Sequence, residues 1–315
     1  MQAMIFRKYG DPDVFEMAEL PDPIAGENDV LVRVMATSVN RLDTFQRAGT
    51  RPVGKLPFAP GLEAAGTVVT DAHGFTAGER VMTTRATESG MGGYAALLAL
   101  PADTLVRIPD GVSFEQAAAA GLAASTAWAS LFDIGKMRDG ERVLITAGAS
   151  GVGTAQVQFA KMRGGWVAAS AGGAGKAAQL TGLGVDLVID HRKSPLGASV
   201  RDAGGVNLVM ENVGSTLPDS LMACLPDARV VLIGNAGGRE VNVDTQDWRL
   251  KRITVIGGGS LRAKPIDERA ILEAIANGQF KPVIARTLPI SQVAEAHRLI
   301  EGNQVFGKVI LTHEA

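Results

Sequence analysis

One stretch constrains the fold of this chain more than any other: residues 143–161, VLITAGASGVGTAQVQFAK. Four β-formers, Val143, Leu144, Ile145 and Thr146, run into the small-residue turn Ala147-Gly148-Ala149-Ser150-Gly151-Val152-Gly153. Apolar residues then recur at Val152, Ala155, Phe159 and Met162 with helical spacing. The pattern reads as strand, tight turn, helix. Glycines let a backbone approach a ligand closely, and the unpaired N–H groups at the start of a helix favour an anion. A pyrophosphate suits such a turn. A second apolar strand, Trp166-Val167-Ala168-Ala169-Ser170, completes the βαβ unit that a dinucleotide-binding fingerprint requires. Without it the turn would read as an ordinary β–α connection.

The turn departs from G-x-G-x-x-G at Ser150, which stands in place of the middle glycine. Its hydroxyl either donates to a phosphate oxygen or caps the new helix. A nucleophile elbow, G-x-S-x-G, fails because Val152 occupies the last position. The string also differs from the short-chain dehydrogenases, whose catalysis uses Tyr-x-x-x-Lys. The residues four places after Tyr9 and Tyr94 are Asp13 and Leu98.

A chain of 315 residues with 46% hydrophobic content has room for two domains with real cores. Its 31 basic and 33 acidic residues give a net charge of −2, which favours neither nucleic acid nor an anionic membrane as partner. The single cysteine, Cys224, excludes an intramolecular disulfide and reads as a buried packing residue in a reducing compartment. No charged segment followed by an apolar core opens the sequence. The longest charge-free runs, 116–132 and 143–160, are Ala- and Gly-rich, and the second is broken by its turn, unlike a membrane span. A soluble cytoplasmic protein is expected.

From residue 1 to about 120, short β-like runs at 4–6, 30–34, 66–69, 80–82 and 94–98 alternate with Pro- and Gly-bearing turns, a pattern of antiparallel, barrel-like structure. Residues 117–132 read as a buried Ala-rich helix where the chain crosses between domains. Strands then alternate with helical stretches at 143–146, 166–170, 185–190, 206–210, 229–233 and 253–256, which specifies a parallel sheet covered on both faces. A helix near 267–277 and a closing strand at 309–311 return the tail to the first domain.

Several motifs carry a resemblance: NRLDTFQRAG at 40–49, PGLEAAG at 60–66, the turn at 147–153, LGVD at 183–186 with VIDHR at 188–192, and GKVIL at 307–311. Over nearly its whole length the chain resembles the medium-chain dehydrogenase/reductases, specifically their zinc-free quinone oxidoreductase (zeta-crystallin-like) branch. The resemblance implies an α/β fold with a Rossmann doubly wound parallel sheet at 122–261. It also implies a GroES-like, β-barrel-type catalytic domain formed by 1–121 and 262–315, and a cleft holding nicotinamide and substrate.

By the same resemblance, zinc-binding members place a Cys where this chain has Asn40, a His where it has Leu62, and a further ligand near Leu122. None of these side chains is a zinc donor, the four histidines lack ligand spacing, and no metal is expected. Cofactor choice turns on the end of the second strand, where an acidic residue holds the ribose hydroxyls of NAD. Here the position is Ser170, followed by Ala171-Gly172-Gly173, with Lys176 just beyond and His191-Arg192 after the third strand. The family holds a 2′-phosphate with a Lys and a Tyr at these places. Lys176 matches the Lys, and His191 replaces the Tyr. Lys176 and Arg192 taken singly read more commonly as solvated surface charge, but their joint location makes NADPH the expected cofactor.

The resemblance implies further cofactor contacts from Ser150, Gly151, Val152 and Gly153 in the turn, and from Asn40, Thr126 and Asn235. A Thr bonded to a backbone carbonyl and an Asn in a turn are the local alternatives for the last two. Asn40 and Asp43 resemble the family's catalytic cleft residues, Asn40 as a donor to substrate or ordered water; as local sequence both also read as turn-formers. Many relatives have a Tyr where this chain has Phe45, so a Tyr acid is missing there. Arg47 and Trp128 either shape the pocket or serve core and surface roles, and Phe45, Met91, Trp128 and Trp248 point to an apolar pocket.

The expected activity is hydride transfer from NADPH to a quinone or other conjugated carbonyl, without zinc. An enoyl or enone reductase and a non-catalytic NADPH-binding protein are the alternatives. The apolar strand at 253–256 would be an exposed edge, and pairing it across a two-fold axis predicts a homodimer.

Overall fold

The structure, a computed structural model, describes residues 1–258 and 268–314. Two compact units divide the chain: Met1–Leu122 with Asp267–Ala315, and Ala123–Ile266. The expected return at 261/262 lies outside the described residues. The first division falls inside a continuous helix, one residue after the expected 121/122.

The first unit opens with the antiparallel pair β1 (Gln2–Phe6) and β2 (Phe15–Glu19). There follow β3 (Asp29–Val39), α1 (Arg41–Ala48), β4 (Ala64–Val68), β5 (Arg80–Thr83), β6 (Leu97–Pro101), β7 (Val106–Arg107) and α2 (Phe114–Trp128). Val30, Val32, Val34 and Ala36 alternate inward along β3, the central strand, and all are buried. The strand expected at 94–98 begins later, at Leu97. Tyr94 instead donates its N–H to Pro60 O and accepts Met4 N, so that stretch is tied to a turn and to β1 rather than to the ladder. Helix α2 widens into a π-helical turn through Ile134; the most apolar window of this 21-residue run is 67% buried within the protein, as befits a core helix.

The second unit contains β8 (Arg142–Ile145), α3 (Gly151–Met162), β9 (Trp166–Ala171), α4 (Ala174–Gly182), β10 (Leu187–Asp190) and α5 (Leu196–Asp202). It continues with β11 (Val206–Glu211), α6 (Leu217–Ala223), β12 (Cys224–Leu232), α7 (Thr245–Lys251) and β13 (Thr254–Gly257). The strands form one parallel sheet in the order β10-β9-β8-β11-β12-β13. Consecutive residues Val143, Leu144 and Ile145, and Leu208, Val209 and Met210, are fully buried, which requires cover on both faces. Chain direction across the sheet reverses between β8 and β11, the switch point where ligands of such sheets bind. Met162 does not join the buried stripe of α3; it is 47% exposed at the last turn, and Val157 and Ala160 take the inward positions.

The tail supplies α8 (Glu268–Ala276), β14 (Ile284–Pro289), α9 (Val293–Glu301) and β15 (Lys308–Thr312). Strand β15 pairs antiparallel with β3, completing the first unit's sheet, and β14 runs parallel to β15.

Candidate cofactor and substrate sites

The turn after β8 is built to leave amides exposed. Ser150 is the N-cap of α3, extended at φ −75° and ψ 166°, and its Oγ accepts Gly153 N at 3.0 Å. The first-turn amides of Gly151 and Val152 have no carbonyl four residues back within the helix to receive them, so they remain for a ligand. Gly153 is required by close approach, since a Cβ there would lie 2.7 Å from Gly148 Cα. Below the turn, Asn212 at the end of β11 donates Nδ2 to Thr146 O and to Gln156 Oε1, both at 2.8 Å, and its N–H to Thr146 Oγ1 at 2.8 Å. Glu211, fully buried, accepts Val213 N at 3.0 Å, Gly214 N at 2.9 Å and Thr216 Oγ1 at 2.7 Å. These bonds lock the loops after β8 and β11 at the switch point. Asn235, after β12, lies against Gly214 and accepts Gly238 N at 3.1 Å.

Cations gather at the ends of β9 and β10. A Cβ on Gly172 would sit 3.1 Å from Arg192 Nε and 3.2 Å from His191 Cε1, so both side chains lie over the β9–α4 loop. Lys176 is half-buried in the first turn of α4. Ser170 is buried, and its Oγ accepts Ala147 N at 3.1 Å, so its hydroxyl braces the glycine turn rather than facing outward. Asp190, the acid of the VIDHR motif, joins them. Its Oδ1 accepts Gly173 N at 3.0 Å and Arg192 N at 3.1 Å, and these amides, Gly173 first, hold the carboxyl below its ordinary range.

In the first unit Asn40 is the N-cap of α1 and Asp43 its third residue. Asp43 Oδ2 accepts Asn40 N at 2.7 Å and Oδ1 accepts Gly61 N at 3.2 Å. Asp43 is wholly buried, and burial pushes its carboxyl up to about 7 against the pull of those two amides and of Lys308. Fully buried Glu63 is the centre of the cluster. Its Oε1 accepts Ser38 Oγ, Asn40 Nδ2 at 2.9 Å and Lys308 Nζ at 3.2 Å, while Leu122 N donates to Oε2. Lys308 Nζ also donates to Asn40 Oδ1 at 2.7 Å. Gly121 makes room in α2, because a Cβ there would collide with Glu63 Oε2. Asn40 and Leu122, two of the positions singled out in the sequence, therefore meet on Glu63. Glu63 and Lys308 were quoted in motifs but given no role; the signal was a charge embedded in an apolar run, Leu62-Glu63-Ala64-Ala65 and Lys308-Val309-Ile310-Leu311, which needs a buried partner.

Other side chains take packing roles. Arg47 is 2% exposed and pairs with Glu301 of α9. Trp128, half-buried, packs edge-on to Phe132 and Phe159 at 4.6 and 5.4 Å. Trp248 donates Nε1 to Ile253 O at 2.6 Å beside the same unit's core. Thr126 is nearly buried on α2. His297 meets Tyr94 Oη at 3.0 Å and is pushed down to about 3 by burial and by Arg47, so it stays neutral.

A profile described as alcohol dehydrogenase GroES-like domain matches residues 26–110, and one described as zinc-binding dehydrogenase matches residues 183–311. The quinone oxidoreductase of Homo sapiens is 30% identical over 328 residues, covering 99% of this chain and 97% of the relative. The solved structure of Escherichia coli quinone oxidoreductase complexed with NADPH superposes with a TM-score of 0.91 at 28% identity, over 99% of this chain and 100% of that one. That of an NAD-dependent alcohol dehydrogenase gives 0.88 at 29% identity, over 99% of each chain. Zinc does not fit the donors present: Asn40, Leu62 and Leu122 offer no thiolate, imidazole or carboxylate, and the carboxylate of Glu63 is committed to the Lys308 ammonium. Among the described residues no group of three or more His, Cys, Asp or Glu is placed to hold a metal ion. A dinucleotide does fit the turn, where a strand runs through small residues into the N-terminus of a helix whose first amides have no partner within the helix.

Proposed function

Because this chain belongs to the medium-chain dehydrogenase/reductases, in their quinone oxidoreductase branch, and is an oxidoreductase, we propose that it is a zinc-independent, NADPH-dependent reductase of quinones or other conjugated carbonyls. The observation that carries this reading is that Asn40, where the resemblance places a Cys ligand in zinc-binding relatives, carries a carboxamide tied to Glu63 and Lys308. NADPH, when bound, supplies the hydride. The chain's residues bind and orient it. Gly151 and Val152 receive the pyrophosphate on the open amides of the first turn, with Ser150 capping the helix through Gly153 N, and Asn235 and Thr126 hold the nicotinamide end. Lys176, His191 and Arg192 attract the 2′-phosphate at a strand end that carries Ser170 in place of an acid. Asp190 is the one opposing charge described there, and its Oδ1 is spent on two amides. Asn40 donates a hydrogen bond to the oxygen that gains charge as the acceptor is reduced. A delocalised product anion takes its proton from water, so no side-chain acid is required. Asp43 acts by holding Asn40 in place.

NADPH consumption by the purified protein across quinones, enones and enoyl thioesters, with NADH as control, tests the proposal. Turnover of quinones with NADPH supports it. Preference for an alkene moves the assignment to an enoyl or enone reductase, and tight NADPH binding without any turnover removes the enzymatic reading for these acceptors.

A further inference from the structure

A primary carboxamide has two faces that sterics hardly distinguish, and its function as a donor depends on which one looks outward. At Asn40 the choice is made by charge. The oxygen Oδ1 receives Lys308 Nζ at 2.7 Å, and Nδ2 gives one proton to Glu63 Oε1 at 2.9 Å. An ammonium only donates and an ionised carboxylate only accepts. Ser38, Asn40, Lys308 and Leu122 all donate to Glu63. A flip of the amide would set Nδ2 against the ammonium and Oδ1 against the carboxylate, two repulsions in a site where Glu63 is fully buried and Lys308 is 5% exposed. The second N–H of Asn40 meets no acceptor among the described residues, and Asn40 itself is half-buried, so this proton remains for a ligand.

We propose that Lys308, together with Glu63, is a positioning residue that fixes the flip state of the Asn40 carboxamide and so presents its second N–H as a directed donor to the substrate. The orientation stands on the geometry alone; its kinetic consequence rests on the reductase reading above. Lys308 acts here through Asn40 and touches no reacting atom. The backbone of the same residue is fixed by Asp43, whose Oδ2 accepts Asn40 N.

The test combines side-chain amide NMR with a double-mutant cycle. In the full-length protein the Asn40 Nδ2 signals, assigned by their loss in Asn40→Asp, should include one slowly exchanging proton, the one held by Glu63. Lys308→Met should speed its exchange about tenfold or more, while Lys308→Arg should retain protection. Should Lys308→Met fail to fold, the charge-neutral pair Glu63→Gln with Lys308→Met gives the same reading, and NADPH affinity reports that the second unit is intact. In turnover, Lys308→Met and Asn40→Ala should each lower kcat by roughly 10- to 100-fold, the scale of a misplaced contact, with KM for NADPH little changed. Their combination should be no worse than Asn40→Ala alone. Unchanged amide exchange in the charge-neutral pair overturns the orientation claim. Multiplicative losses in the cycle overturn action through Asn40. If the wild type reduces no acceptor, the reductase reading fails while the NMR result still decides the orientation.

Discussion

Asp43 sits at the point where residue chemistry and helix geometry meet. Its carboxylate holds the backbone of Asn40 and the Gly61 turn, yet burial lifts its proton affinity to about pH 7. An acid whose folded pKa is raised binds its proton more tightly in the native state, so its stabilising contribution is full below about pH 4 and is lost as pH rises to about 7. Unfolding free energies measured by urea from pH 4.5 to 8 should therefore fall for wild type relative to Asp43→Asn and then run parallel above about 7; parallel curves throughout would show that Asp43 does not titrate there. The proposed phosphate grip is tested at the same scale. Losing a charge-assisted hydrogen bond costs about 1.5–3 kcal/mol, so Arg192→Ala should weaken NADPH binding by about tenfold or more and leave NADH binding unchanged by calorimetry. Equal effects on both cofactors would place Arg192 outside the 2′-phosphate site. Asn40 and Arg192 became candidates as single letters of a motif, and Lys176 by its place after the second strand. Lys308 and Glu63 stand 245 positions apart, and the pairing of both β15 and β4 with β3 brings them together.

At the scale of elements, the glycine turn was the most legible part of the chain because three independent local signals agree there: β-formers, small residues and a helical period. The cap resolves one open alternative, since Ser150 Oγ accepts Gly153 N. Replacing Ser150 by Ala should cost about 1 kcal/mol of stability, the usual worth of an N-cap, seen as a lower denaturation midpoint. A loss confined to NADPH affinity with stability untouched would mean the hydroxyl serves the ligand alone. Less legible were features set by tertiary contact. Met162 had the right spacing for a buried position but falls on the frayed last turn of α3, and Tyr94 had strand propensity but spends its backbone on β1 and the Pro60 turn. Periodicity reports which face of an element is apolar, not which neighbour claims its hydrogen bonds.

The whole molecule follows from two rhythms in the chain, antiparallel runs and then alternating strands and helices, with the tail returning to the first unit through β15. The switch point could be read from strand order once the βαβ rhythm was seen, whereas the polar cluster of the first unit could not, because its members come from β3, α1, the segment before β4, α2 and β15. Strand β13 forms the outer edge of the parallel sheet, and we infer that it pairs with a second copy across a two-fold axis. Light scattering should give twice the chain mass of 32.8 kDa, and a monomer at working concentration would remove the inference. The central claim, reduction without zinc, is most directly tested by measuring quinone-dependent NADPH oxidation on protein whose metal content has been determined before and after exhaustive chelation. The account predicts full activity with zinc far below one atom per chain. Stoichiometric zinc whose removal abolishes turnover, and whose return restores it, would contradict it.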